Sequence, residues 1–113
     1  MEEYTVKHVF TITDNDISDI MSSALQGITY WADEAKVHGF IKPEDEDMYT
    51  SDALSHGYRI GIYDAEEEKW HILTKKKFLN GVALYGKSNF EDWDMFDADQ
   101  VIQFALFGKQ VYA

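Results

Sequence analysis

The sequence predicts a small α+β domain in which an antiparallel sheet of three or four strands is packed on one face by three helices. Segments rich in β-branched and aromatic residues alternate with segments of helical apolar periodicity. Two strand-like segments, 58–63 and 69–73, are separated by a short acidic turn, which is typical of an antiparallel hairpin. No repeat or internal boundary divides the 113 residues, so we expect a single domain over residues 1–113.

The chain opens with a strand-like segment followed by a helical one. Residues 4–13 are rich in β-branched and aromatic side chains, and the pattern predicts a half-buried strand. Asp14 is expected to cap a helix, with Asp16 in its first turn near the positive end of the helix dipole. Apolar residues then recur at helical spacing up to Gly27, which is expected to end the helix.

The middle of the chain is less regular. Residues 28–31 fit either a short strand or a packed extended turn, and both alternatives stay open. Residues 33–52 show no clear period and contain the only proline together with a run of four acids. A short helix is expected from about residue 50 to residue 56, just before the predicted hairpin.

Two further helices are expected after the hairpin. Thr74 can cap the first, although Gly81 inside it costs about 1 kcal/mol relative to alanine. Residues 86–96 are expected to form an irregular linker rich in acids and aromatics. Asp97 is predicted to cap the last helix, and residues 111–112 are expected to dock back as a short tail.

The charge balance restricts what the protein can bind. Twenty-one Asp and Glu against ten Lys and Arg give a net charge of −11, which opposes direct binding to nucleic acid or to anionic membranes. The expected partner is a basic protein surface. A 45% hydrophobic content argues against disorder, and the absence of cysteine excludes disulfides and fits a cytoplasmic location. No signal peptide or membrane-spanning run is expected.

The surplus carboxylates are clustered, and these clusters are the candidate partner-binding residues. Three clusters fall at 44–47, 64–68 and 91–99, and the last contains Trp93 as a candidate aromatic anchor. Carboxylates spaced in this way can occupy Arg and Lys sites that otherwise hold phosphates. The alternative is that they are solvated loops with their aromatic residues packed on the core. The candidate residues are Glu44, Asp45, Glu46, Asp47, Glu66, Glu67, Glu68, Glu91, Asp92, Trp93, Asp94, Asp97 and Asp99.

The sequence contains no motif for catalysis or metal binding. Asp14 and Asp92 each begin an Asp-x-Asp pair, but Asp19 and Asp97 stand where a calcium loop needs glycine. The four histidines show no spacing typical of a helical zinc site. No nucleophile elbow, phosphate loop or dinucleotide fingerprint is present. We therefore predict no metal, no cofactor and no enzymatic activity.

Four blocks resemble a small acidic protein family encoded by phages, prophages and their bacterial hosts. The blocks are FTITD at 10–14, GITYWA at 27–32, FLNGVALY at 78–85 and ADQVIQFALFGKQVY at 98–112. The resemblance spans nearly the whole chain but rests mostly on core and capping residues. It implies a phage context and carries no functional residues.

Two classes of function follow from these patterns. The first is a phage-type or prophage-type inhibitor of host defence, in the style of an anti-CRISPR or anti-restriction protein. It would bind a basic groove on a nucleic-acid-handling protein through an acidic, nucleic-acid-mimicking surface. The alternative is a structural or accessory protein acting by homo-oligomerisation, or a small ligand-binding domain. The aromatic residues expected between subunits in that case include Tyr30, Trp31, Trp70, Phe104 and Phe107.

Overall fold

A computed structural model describes residues 11–87 and 89–113, and it confirms the α+β class. Most of the strand predicted over 4–13 lies outside the described residues, and residues 11–13 are not in a strand. In chain order the helices and strands are α1 Asp14–Gly27, β1 Ala32–His38, β2 Arg59–Asp64, β3 Lys69–Leu73, α2 Lys75–Tyr85 and α3 Met95–Phe107. Within the described part of the chain, no helix is long and apolar enough to cross a bilayer.

The sheet has three antiparallel strands in the order β1-β2-β3. The predicted hairpin is confirmed, with Ile60 paired to Leu73 and Asp64 paired to Lys69. Strand β1 was not predicted, because residues 33–52 show no clear period in the sequence. Its buried and half-buried apolar side chains, Ala32, Ala35 and Val37, are small or modest in size, so the pattern in sequence is weak.

Both acidic helix starts differ from the prediction by a few residues. Thr13, not Asp14, caps α1, and it forms a capping box with Asp16. Likewise Asp94, not Asp97, caps α3, and Asp97 completes that capping box from the third helical position. The prediction placed each cap too late because every Asp in these acidic stretches satisfies the same preference.

Helix α3 lies at the centre of the molecule, against α1, α2 and the sheet. Six consecutive residues, from Ala98 to Gln103, are buried, so this helix has no solvated face over nearly two turns. Two of its buried polar side chains, Asp99 and Gln103, are hydrogen-bonded, whereas the buried amide nitrogen of Gln100 has no partner among the described residues. Asp99 accepts from the Trp31 indole at 2.8 Å and from the Gln103 amide at 3.0 Å.

The helices α2 and α3 approach each other closely at Gly81. A Cβ at this position would lie 2.6 Å from the carbonyl oxygen of Val101 and 2.8 Å from the Cβ of Ala105. The predicted helix with an internal glycine is confirmed, and its glycine is explained by packing. The same reasoning applies to Gly27, where a Cβ would meet the backbone of Met95.

The chain end docks on the core, as predicted. The backbone N–H groups of Val111 and Tyr112 each donate to the Gln103 carboxamide oxygen at 2.8 Å. The Tyr112 ring stacks on Trp31, with centroids 5.2 Å apart and an interplanar angle of 18°. Residues 28–31 form a packed turn, and the short helix expected at 50–56 is a 3-10 turn over Thr50–Asp52 followed by further turns.

Candidate functional site

An acidic cleft lies between α1 and the segment that leads into α3. Its volume is about 200 Å³. Four carboxylates line it, two from each side. The lining residues are Asp16, Asp19, Ile20 and Ser23 from α1, Phe90, Glu91, Trp93 and Asp94 from the preceding segment, and Ala98 from α3.

Capping bonds fix two of the four carboxylates. Asp16 accepts the Thr13 backbone N–H at 2.8 Å, and Asp94 accepts the Asp97 backbone N–H at 2.9 Å. These bonds hold each carboxylate at a helix N-terminus. Asp19 and Glu91 are exposed and have no capping role. The cleft thus combines two carboxylates held by capping bonds with two exposed carboxylates that cap no helix.

Aromatic rings support the cleft. Trp93 stands perpendicular to Phe90, with centroids 5.0 Å apart, and perpendicular to Tyr85 at 5.4 Å. Such edge-to-face contacts hold the indole in place. The Trp93 indole nitrogen is buried and has no hydrogen-bond partner among the described residues. Trp93 is therefore a half-buried wall of the cleft, rather than the exposed anchor that the sequence suggested.

The cleft has excess negative charge. Among the described residues, none of its four carboxylates forms an ion pair, whereas Asp14 beside them is paired with Lys75 at 3.0 Å. Typical pockets for drug-sized ligands measure roughly 300–1,000 Å³. The cleft is smaller, and it suits one cationic group, such as the end of a basic side chain.

The cluster predicted over 91–99 is divided by the structure. Glu91, Trp93 and Asp94 line the cleft, and Asp92 is exposed beside it in the 3-10 turn Phe90–Asp92. Asp99 is only 2% exposed and is bonded within the core, so its prediction as a partner contact is wrong.

Asp97 is also engaged internally. The Tyr85 hydroxyl donates to its carboxylate, and the Lys87 ammonium lies 3.3 Å away. Burial alone would raise the pKa of Asp97, but the bonds from Tyr85 and from the Asp94 backbone, with Lys87 nearby, hold that pKa below its ordinary value. The structure therefore makes Asp97 a capping and packing residue, which corrects its assignment as a free surface contact.

The other two predicted clusters do not line the cleft. Asp45 accepts a hydrogen bond from the Tyr58 hydroxyl at 2.7 Å and contacts His56 at 3.2 Å, which leaves Glu44, Glu46 and Asp47 exposed around it. The second cluster, 64–68, is divided: Asp64 is buried at the end of β2, which corrects its place in a surface cluster, and Glu66, Glu67 and Glu68 form the exposed turn between β2 and β3. Together they add negative charge on other parts of the described surface.

Sequence reasoning missed the α1 side of the cleft. Asp16 was interpreted as a first-turn acid and as part of an Asp-x-Asp pair, and Asp19 only as a residue that breaks a calcium loop. Their spacing of three residues places both on one helix face, and this was the available signal. What the sequence could not supply was the element that packs opposite that face.

No family model, curated protein or solved structure matches this chain.

Proposed function

We propose that this protein is a non-catalytic binding protein that recognises a basic protein surface, and that its acidic cleft receives an arginine or lysine side chain of the partner. The observation that carries the proposal is the convergence, on a cleft walled by Trp93, of four carboxylates that form no ion pair within residues 11–87 and 89–113. A planar guanidinium can bond two carboxylates and also lie against an indole, so arginine fits better than lysine.

The proposed partner surface is one that handles nucleic acid. The net charge of −11 and the exposed acids outside the cleft, at 44–47 and 66–68, favour fast association with a basic groove. The resemblance to phage-encoded and prophage-encoded proteins supports an inhibitor of host defence acting in the bacterial cytoplasm. In this proposal the carboxylates occupy Arg and Lys sites that otherwise contact phosphates.

A charge-matched pair of variants tests the cleft directly. The probe is a fluorescent hepta-arginine peptide, titrated with protein and followed by anisotropy. Asp19→Asn/Glu91→Gln removes two cleft charges without touching a helix cap, and Glu44→Gln/Glu46→Gln removes two exposed charges elsewhere. At about 1 kcal/mol for each lost contact, the cleft variant should bind roughly thirtyfold more weakly.

The control variant should bind within about twofold of the wild type, because it retains all four cleft carboxylates. Equal weakening of both variants would mean that the peptide responds only to net charge, and the cleft would have no role. Affinity for the wild type should also fall steeply as salt is raised, since the recognition is ionic.

Capture from a bacterial lysate at low salt tests the class of partner. The proposal expects the wild type, and not Asp19→Asn/Glu91→Gln, to retain a protein that binds DNA or RNA, and to displace that nucleic acid from it. Suppose the captured partner depends on the cleft but binds no nucleic acid. This result would exclude an inhibitor of a nucleic-acid-handling protein, but it would still agree with a protein that binds a basic surface.

A second candidate function is self-association, which one surface favours. An apolar groove of about 530 Å³ lies between the end of α1 and the start of α3, and exposed Tyr30, Met95 and Phe96 are at or beside it. Of the aromatics expected between subunits, Trp31 is a core residue at 1% exposure, which corrects that expectation. Sedimentation velocity at tens of micromolar tests this candidate, and a monomer would exclude it.

A further inference from the structure

The β2–β3 hairpin brings one imidazole and two carboxylates together. Asp64 ends β2, Glu67 lies in the turn, and His71 is in β3. In the strand register His71 pairs with Ile62, so it is the diagonal neighbour of Asp64 on the inner face of the sheet. One potential ligand atom from each of the three side chains falls within 4.8 Å of the other two. This group is separate from the acidic cleft.

The imidazole has a nitrogen with no partner. His71 Nε2 is buried and forms no hydrogen bond among the described residues. It lies 3.6 Å from the Asp64 carboxylate, which is longer than an ordinary N–H···O bond of about 2.9 Å. The ring stands edge-on against Phe107, with centroids 4.9 Å apart, so packing fixes its direction. A cation bonded to both atoms would give the buried nitrogen a partner.

The Asp64 carboxylate is oriented in advance. One oxygen accepts the Glu66 and Glu67 backbone N–H groups at 2.9 and 3.0 Å, and the other accepts the Tyr112 hydroxyl at 2.7 Å. A carboxylate can accept about four hydrogen bonds, so one lone pair remains for a metal. Outer-shell bonds of this kind are what position carboxylate ligands in metal sites.

The charge around the hairpin also favours a cation. Asp64, at the end of β2, carries the carboxylate that faces His71. Three glutamates, 66–68, follow in the turn. Lys69 offsets only part of this charge, through its contact with Glu67 at 3.2 Å.

We propose that Asp64, Glu67 and His71 form a binding site for a divalent transition-metal ion, with Zn²⁺ as the best match. Around tetrahedral zinc, ligand atoms lie about 3.3 Å apart, given metal–ligand bonds of about 2.0–2.1 Å. The separation of 3.6 Å between Asp64 and His71 is already close to this value. Glu67 is exposed and completes the set by rotating away from Lys69, which gives up a surface ion pair worth less than about 1 kcal/mol.

The donor set also sets the selectivity. One nitrogen and two carboxylate oxygens suit Zn²⁺, whereas Mg²⁺ and Ca²⁺ prefer oxygen donors alone. Three protein ligands leave a fourth position for water or for a group from a partner. No metal site is predicted from the sequence, because the three residues have no recognisable ligand spacing and only the hairpin register brings them together.

Titration with ZnCl₂ followed by calorimetry tests the proposal. The wild type should bind one Zn²⁺ ion per chain with a Kd in the micromolar range and should not bind Mg²⁺ comparably. His71→Gln should weaken binding by about 100-fold and Glu67→Gln by about tenfold. The matched controls are His38→Gln, an exposed strand histidine, and Glu68→Gln, the neighbouring turn glutamate; both should bind within about twofold of the wild type.

Circular dichroism checks that each variant is folded. If His71→Gln does not fold, Glu67→Gln still tests the site, because Glu67 is exposed and its substitution should leave the fold intact. NMR of the imidazole ring gives a second readout, in which Zn²⁺ shifts the His71 signals and leaves those of His38 in place. Zn²⁺ binding that is absent up to about 1 mM, or equal in Glu67→Gln and Glu68→Gln, would overturn the proposal. Neither outcome bears on the acidic cleft.

Discussion

Gly81 offers the sharpest test of the packing, because two physical effects predict opposite signs for Gly81→Ala. Alanine has the higher helix propensity, so α2 considered alone should gain about 1 kcal/mol. The structure predicts a loss instead. The new Cβ would lie 2.6 Å from the Val101 carbonyl oxygen and 2.8 Å from both the Cβ and the backbone nitrogen of Ala105.

The size of the loss follows from these distances. Non-bonded atoms in a core are separated by about 3.5 Å or more, so α2 and α3 would have to move apart by roughly 0.7–0.9 Å. A gap of that size forfeits about a quarter to a half of the dispersion energy of the contacts it opens. Two of the three close atoms belong to the backbone and cannot rotate away, so we expect the upper end of the overpacking range, about 3 kcal/mol. Subtracting the propensity gain leaves a net destabilisation of about 2 kcal/mol.

Urea denaturation followed by tryptophan fluorescence measures this effect. The midpoint should fall while the slope stays unchanged, since the unfolded state exposes the same surface. The control is Ala83→Gly on the exposed side of the same helix, which should lose about 1 kcal/mol through propensity alone. A Gly81→Ala variant as stable as the wild type, or more stable, would refute the close approach of α2 and α3.

Two further predictions concern the network around Asp99. Asp99→Asn should lower the free energy of unfolding in urea by about 2 kcal/mol, because the new amide cannot accept hydrogen bonds from Trp31, Gln103 and Tyr30 together. The control Asp92→Asn changes an exposed residue, so its free energy of unfolding should stay within about 0.5 kcal/mol of the wild type. Equal effects of the two substitutions would contradict this prediction. Tyr30 is 50% exposed, but its hydroxyl is partly buried against Asp99; the loss of water there, and then the hydrogen bond to Asp99, raise the pKa of Tyr30 to about 12. Since that pKa is about 10 in an unfolded chain, the stability contributed by protonated Tyr30 is complete below pH 10 and is lost as pH rises towards about 12. Tyr30→Phe should flatten this alkaline loss in a pH series of urea midpoints, and parallel curves for the two proteins would contradict the assignment.

Part of the candidate site could be predicted from the sequence alone. It was possible to name Glu91, Trp93 and Asp94, because acids and aromatics alternate there without a base. It was not possible to separate them from Asp99, which has the same composition around it and yet lies in the core. Burial of a carboxylate can be predicted only when its hydrogen-bond donors are known. The Trp31 indole that donates to Asp99 is 68 residues away in the chain.

Local chemistry in the sequence determined the α+β class, the β2–β3 hairpin, the helices α1 and α2 and the negative charge of the surface. Periodicity, turn residues and charge act over a few residues and can be read directly. Only the tertiary structure decided the rest: that β1 is a strand, that α3 is buried on all sides over residues 98–103, that Gly81 is a contact point, and that Asp16 and Asp19 face Glu91 and Asp94. Each of these depends on which element packs against which. Which elements pack together depends on the summed burial of many side chains that are distant in sequence. The sequence of any one segment is therefore not enough to predict the packing.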